Sequence, residues 1–312
     1  MGGEVSKLPT GSFSRLCTEN VPANEAAFWG SLMAVDYKVY AELSAEQIRK
    51  ALAAHPRNVA NLCRHLIATL ENGAQATGPP SAIECGKLLC CASLLSRVLP
   101  VLYEDEQTTK FVETVFWQGK MPPGTEATPQ EDGADFPLST KLMDASINLL
   151  FRQGFSVAGE KERTAGWYGG MAGANSANKN RQHDVARNEM LKLILISCSQ
   201  TLFVTPDQYK QASNKWLVYY TTRPKEQATL LVQSLCAVIF SYDPVGVGVP
   251  YASQLMSDPR EGVVDLGVQT LITWLDYVDP SKAAPKAGGA ETKGISTEQV
   301  AKPGSVCTEM GT

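Results

Sequence analysis

Apolar residues recur at helical spacing through most of the chain, and polar stretches separate the segments that carry them. Val59, Leu62, Cys63, Leu66, Ile67 and Leu70 keep the i, i+3, i+4, i+7 spacing of one buried helix face. Leu88, Cys91, Leu94, Leu95, Val98 and Leu99 predict a second helix, with Pro100 as its stop. Ser81 with Glu84 has the form of its capping box, and Ser44 with Gln47 marks a similar start before Ile48. Over 186–204 the apolar residues cover more than one face, which predicts a central, largely buried helix. Thr205-Pro206 supplies the next start.

Two further helices use Ala228, Leu231, Val232, Leu235, Cys236 and Ile239, and then Val264, Val268, Leu271, Ile272, Leu275 and Val278. The second opens at Asp258-Pro259-Arg260-Glu261, a cap followed by a first-turn proline and acid. Shorter helices are expected around Phe28, Trp29, Leu32, Met33 and Val35, and around Leu142, Met143, Ile147 and Leu150. Strand-like alternation occurs in Lys215 to Thr222, which reads equally well as helix. The expected fold is all-α, either an irregular solenoid of the HEAT or armadillo kind or a helical bundle with long polar loops.

The polar stretches run about 1–20, 71–82, 118–137, 156–184 and 280–312. They predict a flexible N-terminus over 1–20, a helical domain over 21–279 with loop insertions near 118–137 and 156–184, and a disordered tail over 280–312.

Composition then narrows the class. Hydrophobic residues make up 44% and charged ones 19% of 312 residues, so wholesale disorder is excluded. The formal charge of −4 argues against a nucleic-acid partner. No uninterrupted apolar run exceeds six residues (Leu235 to Phe240), whereas a membrane span takes about 18. The first twenty residues hold no apolar core of a secretory signal. Most of the eight cysteines sit inside apolar helical patterns, which fits a reduced, cytosolic setting.

Met1-Gly2-Gly3-Glu4-Val5-Ser6 fits the myristoylation pattern, with Gly2 as acceptor and Ser6 at the second specified position. Met removal frees the Gly2 amine, and the missing side chain lets that amine enter a narrow acyl-transfer site. The same residues also read as a polar, unstructured start. One myristoyl chain binds membranes with K on the order of 10⁴ M⁻¹, so stable attachment needs a second contact. Lys7 and Arg15 against Glu4, Glu19 and Glu25 form no polybasic patch. Cys17 reads better as an unmodified thiol than as a palmitoylation site. A protein partner or self-association is the expected second contact.

Tyr242-Asp243-Pro244-Val245-Gly246-Val247-Gly248-Val249-Pro250-Tyr251 is the most unusual stretch. Gly246-x-Gly248 follows a predicted helix rather than a strand and lacks a third glycine, so it makes a poor phosphate cradle. Asp243-Pro244 opens a turn, the glycines permit tight geometry and Pro250 rigidifies the exit. The loop reads as structural, or as a surface for a protein partner.

Chemistry is sparse elsewhere. GxSxG, HExxH and a P-loop are absent from the sequence. Cys63 with His65 and Cys198 with His183 are the conceivable thiol–imidazole pairs, but Cys63 lies on an apolar stripe and His65 is expected to face solvent. Glu104-Asp105-Glu106 reads as a solvated loop rather than a metal site. No catalytic residue, metal or cofactor is expected.

Several motifs together resemble the high-temperature-induced dauer-forming protein family, relatives of dymeclin. They are Met1-Gly2 with Ser6-Lys7-Leu8; Ala27-Phe28-Trp29; Leu95 to Pro100 running on to Glu104-Asp105; Asn188 to Leu193; and Tyr242 to Tyr251 followed by Ser257-Asp258, Arg260-Glu261 and Leu271-Ile272. They occur in family order over residues 1–278. The resemblance implies an N-myristoylated peripheral protein on the cytosolic face of the Golgi, chiefly its trans side. It implies a part in trans-Golgi sorting and in biogenesis of secretory and dense-core vesicles, protein partners in the secretory pathway, and no enzymatic activity. Family members continue through a long helical C-terminal part. Here the polar residues 280–312 stand in that place, as expected of an isoform, a truncated sequence or a shortened paralogue.

Overall fold

The structure, a computed structural model, describes residues 12–33, 43–122, 137–159, 163–164, 166–167, 180–209, 212–242 and 258–280. The described residues are helical and contain no strand; one isolated bridge joins Gln153 to Val157. The fold is all-α, as the apolar spacing predicts.

Helix α1 spans Ser12–Thr18, α2 Ala26–Met33, α3 Ala45–Ala54, α4 Pro56–Gln75 and α5 Ala82–Val101. Helix α6 covers Glu106–Val112 and widens into a π turn over Glu113–Trp117. Helix α7 is Leu138–Leu149 and α8 is Arg181–Cys198, which tightens into a 3₁₀ turn over Ser199–Phe203. After the single turn α9, Pro206–Tyr209, come α10 Lys215–Thr221, α11 Lys225–Phe240 and α12 Pro259–Leu275. The Lys215 segment is therefore a helix, started by Asn214, whose side chain accepts from the Trp216 and Leu217 amides.

Packing follows chain order. Helices α1 and α3 meet, α3 leans on α4 and α5, and α4 and α5 pack against α7 and α8 respectively. Helix α8 in turn carries α12, which pairs with α11. This packing fits an irregular solenoid or a helical bundle. The core is continuous across them, from Phe13 and Leu16 to Leu235 and Val238.

Local chemistry explains the boundaries. Ser44 and Gln47 form the expected capping box of α3, and Ser81 and Glu84 that of α5. Asp258 caps α12 through the Arg260 amide at 3.0 Å. Pro100 does not end α5, which runs one residue further to Val101. A proline in the last turn removes one donor but leaves the rest of the ladder intact.

Other expectations need correction. The flexible start expected over 1–20 does not extend to its second half, because Phe13 and Leu16 of α1 are buried against α3. Asn58 holds this segment in place. Its amide donates to the Leu16 and Glu19 carbonyls at 3.0 and 2.7 Å, and its oxygen accepts from the Val21 amide at 3.0 Å. Composition concealed α1 because only two of its side chains reach the core. In the stretch expected as a loop near 156–184, Val157 and Trp167 are buried. His65, expected in solvent, stacks on Trp29 with ring centroids 5.0 Å apart and sits 3.0 Å from the Ala23 carbonyl. Residues 1–11, 123–136 and 281–312 lie outside the described residues.

Leu66 is fully buried in the middle of α4. Leu66→Ala should lower stability by about 2–5 kcal/mol in urea denaturation. A loss under about 1 kcal/mol would show that the site collapses to fill the space or that the helix face is misplaced.

Candidate functional site

The sequence points to two sites, and the described residues reach only the edge of each. Gly2 and Ser6 lie outside them. The nearest described element is α1, which carries Cys17. Its thiol donates to the Gln47 carbonyl at 3.2 Å, and burial raises its pKa. A protonated thiol already engaged on α3 is a poor nucleophile.

Of the 242–251 loop, Tyr242 alone is described; Asp243, Pro244, Gly246, Gly248, Pro250 and Tyr251 lie outside. Tyr242 is half-buried after the end of α11. Burial raises its hydroxyl pKa, and the nearby carboxylates Glu261, Asp258 and Asp265 add to that. Tyr242 follows α11, and the next described residue is Asp258, the cap of α12.

The start of α12 is held by a buried ionic cluster that no sequence motif marks. Asp184, Arg187 and Arg260 are 2%, 2% and 5% exposed. Asp184 accepts from Arg187 Nη1 at 2.8 Å through one oxygen and from Arg260 Nε at 3.3 Å through the other. The Arg187 guanidinium also lies 4.9 Å from the centre of the Trp167 ring. Trp167 in turn donates from its indole to the Leu150 carbonyl at 2.9 Å. Beside the cluster, the Asn188 amide donates to the Pro259 carbonyl at 2.6 Å, and a side chain at Gly262 would meet Asn188 at 2.9 Å. Ser93 donates to Glu189 at 2.6 Å, tying α5 to α8. The sequence signal was present in Asn188-Glu189 and Arg260-Glu261, but nothing in their spacing showed that these residues meet.

The conceivable catalytic pairs do not assemble. His183 and Cys198 sit at opposite ends of α8, about 22 Å apart at 1.5 Å per residue. Burial pushes the Cys63 and Cys198 thiols up to about 12, which keeps them protonated. The three-acid run serves the surface instead. Glu104 accepts two bonds from Arg49, both at 2.7 Å, Asp105 caps α6 and Glu106 pairs with Lys110. Those partners lower the pKa of each of the three carboxyls.

A groove of about 490 Å³ runs between α3 and α6, with Leu52, Pro56 and Phe111 along it and Arg49, Glu104 and Lys110 among its polar residues. A second, of about 460 Å³, is lined by Asn148, Arg152, Arg163 and Gln227, among others. Neither lining includes a histidine or a cysteine. Among the described residues, no group of three or more His, Cys, Asp or Glu is placed to hold a metal. Among the same residues, no helix is long and apolar enough to cross a membrane.

The described residues form an all-α fold in which a buried ionic cluster joins α8 to the start of α12. Residues 1–299 match the family model described as high-temperature-induced dauer-formation protein, and the chain belongs to that family. It is 32% identical to human protein HID1 over 306 residues, which is 92% of this chain and 38% of the human one. Mouse protein HID1 is 31% identical with the same coverage. The Dictyostelium discoideum protein HID1 is 31% identical over 159 residues. The chain thus spans less than two-fifths of the length of the human and mouse relatives. No solved structure matches.

Asp184→Ala removes a buried carboxylate bonded to both Arg187 and Arg260 and should cost about 3–5 kcal/mol of stability. Urea denaturation measures this, and a loss under about 1 kcal/mol would show that the arginines do not depend on Asp184.

Proposed function

We propose that the chain is an N-myristoylated peripheral scaffold on the cytosolic face of trans-Golgi membranes. It acts there in protein sorting and in the biogenesis of secretory and dense-core vesicles. Family membership is the observation that carries this reading. The N-terminal pattern supports it: Gly2 as acceptor and Ser6 four residues on. The role is non-enzymatic and takes no cofactor; binding surfaces of the fold do the work.

A single acyl chain gives marginal attachment, so a second contact completes the anchor. We assign that contact to a protein partner of the secretory pathway, because Cys17 is engaged with the Gln47 carbonyl and the N-terminal segment has no polybasic run. Gly2→Ala should move most of the membrane-bound pool into the soluble fraction of a eukaryotic cell and disperse its Golgi fluorescence. Unchanged membrane association would remove the lipid from the mechanism.

A second reading makes the chain a soluble adaptor that binds its partner through the 242–251 loop, without acylation. The residue types of the stretch favour it: Asp243-Pro244, Gly246, Gly248 and Pro250 are turn-forming, as suits a surface for a protein partner. Asp243→Ala combined with Gly246→Val should then abolish partner capture while the circular dichroism stays helical. Capture of the same partners by the variant would leave the loop a purely structural role.

A further inference from the structure

Three arginines are buried among the described residues, and one of them has no carboxylate. Arg187 and Arg260 share Asp184. Arg152 is 8% exposed, its Nε has no hydrogen-bond partner, and it enters no ion pair among the described residues. The Glu84 carboxyl is lowered in pKa by the Ser81 amide first and by Arg152 last, so it senses the guanidinium without bonding to it. A buried guanidinium without a counter-charge is costly.

The fold nevertheless holds Arg152 firmly. Its amide donates to Ser156 Oγ at 3.2 Å, and its carbonyl accepts from the Phe155, Ser156 and Val157 amides at 3.2, 3.0 and 3.2 Å. Gly154 in this turn has a φ of +77°, and a side chain there would meet Pro79 at 2.6 Å, so the turn is pressed against the chain that follows α4. Arg152 lines the second groove, of about 460 Å³, where Arg163 supplies another guanidinium and Asn148 and Gln227 supply amides. That lining contains no aspartate or glutamate. The carboxylates of the adjoining groove have cations of their own: Asp144 pairs with Arg223 at 2.8 Å and Glu71 with Lys141 at 3.2 Å.

We infer that this groove is a binding site for a phosphate monoester, with Arg152 as its buried anchoring cation. The choice of anion follows from the donors. Two guanidiniums and two side-chain amides offer more hydrogen bonds than the two oxygens of one carboxylate suit, whereas a phosphate brings three acceptor oxygens and accepts the arginine fork. The volume lies within the range of about 300–1,000 Å³ usual for small-molecule sites. The C-terminal ends of α4 and α7 border the groove and oppose an anion, so the guanidiniums supply the attraction. The phosphate belongs either to a lipid headgroup or to a free phosphate ester.

The test uses the 312-residue chain carrying Gly2→Ala, so that no acyl chain contributes and the outcome is independent of myristoylation. Inositol bisphosphate is titrated by calorimetry, and phosphatidylcholine vesicles with and without phosphatidylinositol monophosphate are used in flotation. Arg152→Gln should weaken inositol bisphosphate binding about tenfold or more. Arg163→Gln should weaken it as well, while Lys50→Gln, which removes the same charge from exposed α3, should leave it unchanged. If Arg152→Gln loses the parent's circular dichroism, the exposed Arg163→Gln decides. Flotation that needs both the inositol lipid and Arg152 or Arg163 names a lipid headgroup. Soluble binding without flotation names a free phosphate ester, and either result supports the site. Failure to bind both probes overturns it, as does binding that Arg152→Gln and Arg163→Gln leave unchanged.

Discussion

A carboxylate held between two arginines, all three out of water, sets the geometry of the second half of this protein. Moving such ions from water into the interior costs several kcal/mol apiece, recovered only if their geometry is right. Asp184 meets that condition by giving one oxygen to Arg187 on its own helix and the other to Arg260 at the start of α12. Sliding or turning α12 on α8 would break the buried Asp184–Arg260 pair. Trp167 lies against Arg187 and fastens the chain beyond α7 to the same point. Nearby, Asn188 reads the Pro259 carbonyl and fills the space that Gly262 leaves open. The cluster thus fixes the register of α12 against α8.

The first half uses neutral chemistry for a comparable end. Asn58 is buried and satisfied by three backbone groups of the segment from Leu16 to Val21. Arg15 adds a bond to Glu25 at 2.8 Å. Helix α1 is thereby joined to the helical body, and an acyl chain on Gly2 would be carried ten residues before its first residue, Ser12. Such a link suits a peripheral scaffold, whose orientation at a surface depends on how closely its anchor is tied to its folded part.

Helices and their starts were legible in the sequence because caps and periodicity are local. Ser44, Ser81 and Asp258 each do what their spacing says. The errors have a shared cause, in that they depend on what lies across from a residue. His65 looks like a surface residue until Trp29 offers it a ring to stack on. Helix α1 looks like polar start until Asn58 is seen to hold the chain beside it. In α12, Val264 and Leu271 pack against the core while Val268, Ile272 and Leu275 stay exposed, because periodicity reports that a face is apolar, not which neighbour covers it. The stretch 242–251 is conspicuous in the sequence, whereas the ionic cluster of Asp184, Arg187 and Arg260 is not. Asp184, Arg187 and Arg260 are ordinary surface residues by type and lie 76 positions apart at the extremes. The myristoylation pattern, by contrast, is a linear signal that needs no fold to be read.

The account stands or falls on the N-terminus. Intact-mass spectrometry of the N-terminal peptide, taken from protein expressed in a eukaryotic cell, tests it most directly. A myristoyl group on the Gly2 amine is the result the lipid-anchored scaffold predicts. A free or acetylated N-terminus would contradict it and leave membrane recruitment wholly to a partner.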